Sequence, residues 1–308
     1  MLWGKSVSFT PKTDIPSLEG RVILVTGGGN GLGKQCVLEY ARHKPSRIWL
    51  AARNLQKAQA AVDDIKKEIP DAPIELLELD LTSLESVKRA AATFSARSDR
   101  LDILLLNAGV MAIPPELTKE GYEIQFGTNH VGHALLTKLL VPILDKTAKS
   151  SDTGARIVAL SSMGHNYAAT GGIEFDSLKT TGESMSTYAR YGQSKLANIL
   201  FIRQLAKEYP QFTSVAVHPG IVNTNLFKAA TDTPAILKVF LPASSYFFTT
   251  VETGARNQLW ASVSDDVKSG EYYEPIGIPN RASSYGKSDQ LAKKLWDWTE
   301  KELEGYQI

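Results

Sequence analysis

The most constraining feature of this sequence is a glycine cluster at residues 27–33, which directly follows a short aliphatic and β-branched run. That run, residues 21–26, is typical of a strand buried on both faces, and a helical pattern begins at Leu32. Glycines let a ligand approach the backbone closely, and the N-terminus of a following helix attracts a pyrophosphate. This order predicts the first unit of a dinucleotide-binding fold, whereas a glycine cluster alone would predict only a tight turn.

Strand and helix patterns alternate along the rest of the chain, which places it in the α/β class. Further strands are predicted at residues 48–51, 74–79, 101–106, 155–160 and 214–217, and helices at 54–69, 83–96, 116–144, 188–205 and 289–303. Repeated units of this kind form a doubly wound parallel sheet with right-handed crossovers and helices on both faces. We expect a single Rossmann-type domain over residues 1–308, with a core at about 18–265 and a C-terminal extension at about 266–308.

The charge balance argues against a nucleic-acid partner. The chain has 34 basic and 33 acidic residues, so its net charge of +1 offers no general attraction to polyanions. Residues 1–16 lack the apolar core of a signal peptide, and the most apolar stretch, 101–115, is too short to span a bilayer. We therefore expect a cytoplasmic protein without a transmembrane segment. The single cysteine, Cys36, excludes an internal disulfide and is expected to be a packed core thiol.

A second constraining pattern is Tyr191 and Lys195, which stand four residues apart at the start of an apolar-periodic helix. Residues at this spacing share one helix face, so the two side chains can meet. A tyrosine hydroxyl has a pKa of about 10, and a neighbouring ammonium would lower it towards neutrality. The pair is a candidate acid with its tuning group, although Tyr-x-x-x-Lys also occurs by chance in surface helices.

The predicted helix at 116–144 carries three polar residues of interest: Asn129, His130 and His133. Two histidines three residues apart could share a metal ion, but no acid or cysteine completes a site, so we expect no metal and two helix-face histidines. Asn129 is a poor helix former in mid-helix, which makes it a weak functional candidate by itself.

Two connections are long enough to be functional. The first, between residues 163 and 187, is rich in Gly, Ser and Thr. The second, at about 225–248, is apolar and irregular, and we favour a lid over a lipophilic pocket for it, with a subunit contact or a membrane-touching patch as alternatives. The sequence leaves open whether the chain forms a homodimer.

Six short motifs in order resemble the short-chain dehydrogenase/reductase family. They are Thr26-Gly27-x-x-x-Gly31-x-Gly33, Asn107-Ala108-Gly109, Asn129, Ser162, Tyr191-x-x-x-Lys195 and Pro219-Gly220-x-Val222-x-Thr224. Each motif is weak, but six in register are highly specific. The long segment after Ser162 and the Trp-bearing C-terminal helix look most like the branch of retinol dehydrogenases and WW-domain oxidoreductases.

The resemblance implies catalytic roles. Tyr191 would protonate the substrate carbonyl oxygen during hydride transfer, and Lys195 would lower the pKa of Tyr191 and bind the nicotinamide ribose. Ser162 would orient the reacting oxygen, with Ser161 as the rival for that role. Asn129 would hold a water that connects Lys195 to solvent.

The resemblance also implies a cofactor site. The pyrophosphate would lie on Gly27, Asn30, Gly31, Leu32 and Gly33, the adenine side on Asp80, Leu81, Asn107, Ala108 and Gly109, and the carboxamide on Pro219, Gly220, Val222 and Thr224. Where NAD-dependent members carry an acid after the second strand, this chain has Ala52 and Arg53. A guanidinium pairs well with a 2′-phosphate, so the resemblance favours NADP(H), with Lys57 as a lesser phosphate ligand.

The expected function is thus an NADP-dependent carbonyl reductase or alcohol dehydrogenase whose partner is a small lipophilic carbonyl or alcohol. One alternative is a nucleotide-binding regulatory protein that keeps the fold without turnover. Another is a sugar-nucleotide epimerase or dehydratase, which shares the Tyr/Lys pair. Those enzymes usually show Thr-Gly-x-x-Gly-x-x-Gly and a larger C-terminal domain, and this chain has neither.

Overall fold

The strands form one parallel sheet. A computed structural model describes residues 5–151, 154–222 and 249–308. Within these residues the strands are β1 (Val22–Thr26), β2 (Arg47–Ala52), β3 (Ile74–Glu78), β4 (Ile103–Leu106), β5 (Ala155–Leu160), β6 (Phe212–Val217) and β7 (Tyr272–Tyr273). They pair in the order β3-β2-β1-β4-β5-β6-β7, so the chain reverses its direction of travel across the sheet between β1 and β4. The predicted doubly wound α/β sheet is confirmed, and ligands of such a sheet bind at this switch point.

Helices cover both faces of the sheet. In the described part of the chain they are α1 (Pro11–Asp14), α2 (Gly31–Arg42), α3 (Leu55–Glu68), α4 (Leu84–Arg97), α5 (Ile124–Phe126), α6 (Gly132–Ser150), α7 (Thr187–Glu208), α8 (Val251–Val263) and α9 (Asp289–Glu302). Alternate residues of each strand enter opposite cores: Leu24 packs with α4, α6 and α7, whereas Ile23 and Val25 pack with α2, α3 and α8. Strands buried on both faces explain why the sequence shows continuous aliphatic runs.

The predicted helix at residues 116–144 is wrong at its start. Residues 116–123 form a turn closed by a bridge between Leu117 and Glu123, and the helix begins only where the Glu123 carboxylate accepts a hydrogen bond from the Phe126 amide at 2.7 Å. Gly121 has a φ of +83°, a conformation that side chains other than glycine rarely adopt, which stops the helix from extending backwards. A π-helical segment, Gly127–Val131, then joins α5 to α6.

The C-terminal helix α9 packs on the helix that carries Tyr191. Trp296 stacks on Phe201 of α7 with ring centroids 5.5 Å apart, and Trp298 meets Phe126 edge-on at 5.8 Å. These contacts confirm the predicted C-terminal helix and clamp α7 between the sheet and α9. No helix among the described residues has the length and apolar character needed to cross a membrane.

Candidate active site

A cavity of about 760 Å³ lies at the carboxyl ends of the parallel strands, where the topology places a ligand. Its wall includes most of the residues selected from the sequence: Gly27, Asn30, Gly31, Leu32, Arg53, Lys57, Asp80, Leu81, Asn107, Ala108, Gly109, Ser162, Tyr191, Lys195, Pro219, Gly220 and Val222. Gly33 and Asn129 do not line the cavity themselves. Thr224 and the segment at 225–248 lie outside the described residues.

The glycine loop owes its close packing to missing side chains. A Cβ on Gly33 would lie 2.4 Å from the Gly27 carbonyl oxygen, and Gly27 itself has a φ of +66°. The Asn107 carboxamide donates a hydrogen bond to the Thr26 carbonyl at 2.9 Å, so its side chain holds the loop. The loop and the N-terminus of α2 together form a concave backbone surface that fits a pyrophosphate.

The end of β2 forms the most basic part of the cavity wall. Arg53 and Lys57 are both exposed there, and among the described residues neither side chain makes an ion pair. The Asn54 side chain accepts a hydrogen bond from the Lys57 amide at 2.9 Å and caps α3. Across the cavity, Asp80 accepts hydrogen bonds from the amide and the hydroxyl of Thr82, which orients its carboxylate. Two cations without an anionic partner fit a phosphate group at this point.

Tyr191, Ser162 and Lys195 meet at the other end of the cavity. The Tyr191 and Ser162 side chains share a hydrogen bond, and the Lys195 Nζ lies 5.7 Å from the Tyr191 ring centroid. Nζ donates to the Leu160 carbonyl at 3.1 Å, which leaves two of its three protons for other acceptors. Since Tyr191 and Lys195 are each only 5% exposed, the cluster is nearly dry.

Burial dominates the protonation of this pair. It raises the pKa of Tyr191 to about 12, against the hydrogen bond with Ser162, which lowers it. It also lowers the pKa of Lys195 to about 8. The direction for Tyr191 corrects the lowered pKa expected from the sequence, because loss of hydration disfavours the phenolate more than its surroundings stabilise it.

The two candidate serines have different environments. The Ser161 hydroxyl donates to the Lys195 carbonyl at 2.8 Å and is 3% exposed, so it holds helix α7 against the end of β5. The Ser162 hydroxyl accepts a hydrogen bond from the Gly164 amide at 3.0 Å and shares a second one with the Tyr191 hydroxyl. This geometry supports Ser162 as the serine that would face a reacting oxygen.

Asn129 lies in the π-helical segment and is fully buried. Its carboxamide accepts from the Val110 amide at 2.8 Å and donates to the Val110 carbonyl at 2.9 Å. It also donates to the Ser194 hydroxyl at 2.9 Å. A Cβ on Gly109 would lie 2.9 Å from the Asn129 Oδ1 and 3.4 Å from the Lys195 Nζ, so both groups flank that glycine.

Sequence reasoning missed the apolar wall beside Tyr191. It consists of Met111, Ile113, Met163, Tyr167 and Tyr188, all of which line the cavity. Gly164 brings the wall close, because a Cβ there would lie 2.9 Å from the Tyr191 ring. The signal in the sequence was the aromatic and sulfur-containing residues directly beside Ser162 and Tyr191, but short apolar stretches in loops are indistinguishable from ordinary packing.

Four buried histidines, His130, His133, His165 and His218, predict acid sensitivity, because burial lowers the pKa of each. Burial lowers the pKa of His130 to about 3 and the pKa of His133 and His218 to about 4, from a usual value of 6.5. Below pH 6.5 the unfolded chain binds protons that the folded protein excludes, so stability is lost as pH falls from 6.5 towards 4. The three histidines with these pKa values contribute a slope of about 4 kcal/mol per pH unit near pH 5, and His165 acts in the same direction.

Denaturant unfolding between pH 5 and 7.5 measures this slope. His130→Phe, which removes one of the four groups, should flatten it by about 1 kcal/mol per pH unit. A slope unchanged in that variant would show that other groups cause the acid sensitivity.

Comparison with known proteins gives a consistent result over the whole chain. Residues 21–235 match the family model described as short chain dehydrogenase. The short-chain dehydrogenase/reductase drtF of Aspergillus calidoustus is 38% identical over 304 residues, which cover 94% of this chain and 95% of that protein. Retinol dehydrogenase 12 of Mus musculus is 34% identical over 292 residues, covering 94% of this chain and 87% of that protein.

A solved structure shows the same fold at similar length. An uncharacterised protein from Mycobacterium paratuberculosis superimposes with a TM-score of 0.73 and 31% sequence identity, over 97% of each chain. The alignment extends past the sheet, so the C-terminal part of this chain has a counterpart there as well.

Proposed function

Because the chain belongs to the short-chain dehydrogenase/reductase family of oxidoreductases, we propose that it transfers a hydride between NADP(H) and a carbonyl or alcohol group of a lipophilic small molecule. One observation carries the proposal. A single cavity joins the glycine loop and Arg53 at one end to Ser162, Tyr191 and Lys195 at the other. A dinucleotide laid along this cavity would bring its two ends to a phosphate site and to an acid.

The residues present fit such a cofactor. Gly27 and Gly33 leave room for close backbone approach, and the exposed guanidinium of Arg53 stands where a 2′-phosphate would lie. When bound, the nicotinamide would donate or accept the hydride. Lys195 would bind the ribose hydroxyls through the two Nζ protons that Leu160 does not use.

Proton transfer would then be the task of Tyr191. Its burial-raised pKa keeps the hydroxyl protonated at neutral pH, which suits the acid in carbonyl reduction. Ser162, already hydrogen-bonded to Tyr191, would hold the substrate oxygen beside it. Asn129 would support the group by fixing the chain around Gly109, next to the Lys195 ammonium.

The wall beside Tyr191 supports a lipophilic substrate. Among the described residues, the lining at this end carries no charged side chain besides Lys195, and it presents two tyrosine rings and two methionines. A charged substrate would lose hydration there without gaining a partner, whereas an apolar one would bury surface. Retinoid-, steroid- and polyketide-like ketones or aldehydes all meet this description, and a cytoplasmic location stays the prediction made from the sequence.

An assay of NADPH consumption with a panel of apolar and charged aldehydes and ketones tests the function. Turnover of apolar carbonyls, with little for charged ones, is the expected result. Tight NADPH binding without turnover of any carbonyl or alcohol would instead support a regulatory nucleotide-binding protein, and no binding would refute the proposal.

The cofactor preference gives a specific prediction. A charge-assisted hydrogen bond from Arg53 to a 2′-phosphate contributes about 1.5 to 3 kcal/mol, so kcat/KM should favour NADPH over NADH by roughly ten- to a hundredfold. Arg53→Ala should remove most of this preference, and Ala52→Asp should reverse it by repulsion.

The matched control is Lys66→Ala, which removes an exposed cation from α3, the helix that follows Arg53, at a position that does not line the cavity, and it should leave the ratio unchanged. Measurement of kcat/KM for both cofactors in the four proteins decides the point. The proposal fails if the unmodified protein uses NADH as well as NADPH, or if Arg53→Ala leaves the ratio of the two kcat/KM values unchanged. Arg53 would then not determine the cofactor preference.

A further inference from the structure

A buried histidine links the glycine loop to the segment that carries Asn129. His133 lies one residue into α6 and is 3% exposed. Its Nδ1 is 3.1 Å from the main-chain carbonyl oxygen of Asn129, and its Nε2 is 2.9 Å from the hydroxyl of Thr26. Thr26 ends β1 and directly precedes Gly27, so the imidazole ring, which is 107 residues from Thr26 in the chain, bridges two distant parts of the site.

The partners determine the tautomer of this ring. A carbonyl oxygen can only accept, so Nδ1 carries the proton and donates it to Asn129. Burial, with a smaller contribution from the nearby Lys195 ammonium, lowers the pKa of His133 to about 4, so the ring is neutral at pH 7. Nε2 therefore has a free lone pair and accepts from the Thr26 hydroxyl.

The Thr26 hydroxyl uses its full hydrogen-bonding capacity. It donates to His133 at 2.9 Å, with the Leu105 carbonyl as a more distant acceptor at 3.4 Å, and it accepts from the amides of Asn107 at 2.9 Å and Ala108 at 3.0 Å. These amides begin the Asn107-Ala108-Gly109 turn that lines the cavity. A change at His133 therefore reaches the glycine loop and this turn through one atom.

On its other side His133 acts on Asn129. A π-helical turn is an irregular backbone, and the bond from Nδ1 fixes the carbonyl of Asn129 within it. The Asn129 carboxamide in turn forms two hydrogen bonds with the main chain of Val110, and it lies beside Gly109 together with the Lys195 ammonium. The shorter of two hydrogen-bonded paths from the ring to the Lys195 environment thus runs through Asn129, and the other runs through Thr26 and the turn at Gly109.

We propose that His133 is a positioning residue. Its Nδ1 hydrogen bond to the Asn129 carbonyl holds the Asn129 carboxamide in place. The carboxamide in turn fixes the main chain at Gly109 and Val110, which lies beside the Lys195 ammonium. The part that concerns turnover and cofactor affinity rests on the proposed function. The part that concerns the placement of Asn129 is a statement about the folded protein.

His130 provides the matched control. It lies next to Asn129 in the π-helical segment Gly127–Val131 and is 1% exposed. Its Nε2 forms a hydrogen bond with the Thr299 hydroxyl of α9 at 3.0 Å. Its ring also packs between Phe126 and Phe201, away from the cavity. Loss of this histidine costs a buried hydrogen bond of the same kind without touching Asn129.

Three substitutions separate the two bonds of His133. In His133→Asn the side-chain amide takes the place of Nδ1 and keeps the bond to the Asn129 carbonyl. In His133→Gln the amide reaches the place of Nε2 and keeps only the partner at Thr26. His133→Phe keeps neither, and His130→Phe is the control for general loss of stability.

The first readout is hydrogen exchange of the Val110 amide, which donates to Asn129 Oδ1 and reports the placement of Asn129 without any cofactor. Exchange should stay slow in His133→Asn and in His130→Phe, and should be faster by about tenfold or more in His133→Gln and His133→Phe. Thermal unfolding of each variant shows whether the difference follows global stability.

The second readout is function. NADPH affinity and kcat with an apolar aldehyde should be near the unmodified values in His133→Asn and His130→Phe, and kcat should fall by about ten- to a hundredfold in the other two. A pattern in which Gln rescues and Asn does not, or in which all variants follow their unfolding temperatures, would overturn the proposal. If the unmodified protein shows no turnover, the proposed function fails while the exchange comparison still decides the role of His133.

Discussion

Tyr191→Phe is expected to lower kcat by about 10²- to 10⁴-fold, the range attributed to general acid–base catalysis by one group. The substitution removes a single hydroxyl and keeps the ring that closes the cavity wall. NADPH affinity should be nearly unchanged, because the hydroxyl acts in the transition state and contributes little to ground-state binding.

Steady-state rates and a fluorescence titration with NADPH measure the two quantities separately. Tyr209→Phe is the control, since it removes a tyrosine hydroxyl just beyond the far end of the same helix. A kcat within about tenfold of the unmodified value would be a smaller effect than general acid catalysis usually provides, and it would exclude Tyr191 from that role.

Lys195→Met should damage both cofactor binding and the proton transfer. The thioether keeps the length of the side chain but offers no proton to a ribose hydroxyl, and one charge-assisted bond contributes about 1.5 to 3 kcal/mol. NADPH affinity should therefore fall by roughly ten- to a hundredfold. Burial raises the pKa of Tyr191 and the Ser162 hydrogen bond lowers it, to a net value of about 12. An ammonium this close would also favour the phenolate, so its loss is expected to raise that pKa further.

The pH profile of alcohol oxidation tests the second effect. In the residual activity of Lys195→Met, the pH at which oxidation rises should be higher than in the unmodified protein, because the phenolate is needed as the base. Lys207→Met, at an exposed position in the last turn of the same helix, should keep both the affinity and the profile. A Lys195→Met protein with the normal profile would place the tuning of Tyr191 elsewhere.

The sequence predicted the sheet well because local chemistry determines it. The inner strands of a parallel sheet covered on both faces are largely apolar, so β1, β4 and β5 were visible as nearly continuous runs between helical patterns. The edge strand β3 carries Glu75 and Glu78 and was recognised by its place in the alternation of strands and helices. The two-residue strand β7, Tyr272–Tyr273, was missed, since so short a strand has no periodicity. Helix α8 was missed as well, because its buried positions include Asn257, Gln258 and Ser262, which a hydrophobic pattern does not select.

Other features depended on contacts between distant residues. The π-helical segment around Asn129 looks like ordinary helix in the sequence, and a helix was predicted to start at residue 116, because the capping by Glu123 and the positive φ of Gly121 are not visible as periodicity. Likewise His133 carried no functional signal. Its bridging position depends on the hydrogen bond with Thr26, which lies 107 residues away in the chain.

By itself the sequence determined the family, the strand–turn–helix unit of a dinucleotide-binding fold, and the tyrosine and lysine that share one face of α7, because each depends on residues a few positions apart. The family resemblance also selected Ser162 over Ser161. Tertiary structure alone decided that Ser161 bonds to the Lys195 carbonyl, that burial raises the pKa of Tyr191 where a neighbouring ammonium was expected to lower it, and that His133 is neutral and bridges β1 to Asn129. Those outcomes depend on how completely water is excluded and on which distant groups become neighbours, and both are properties of the packed chain.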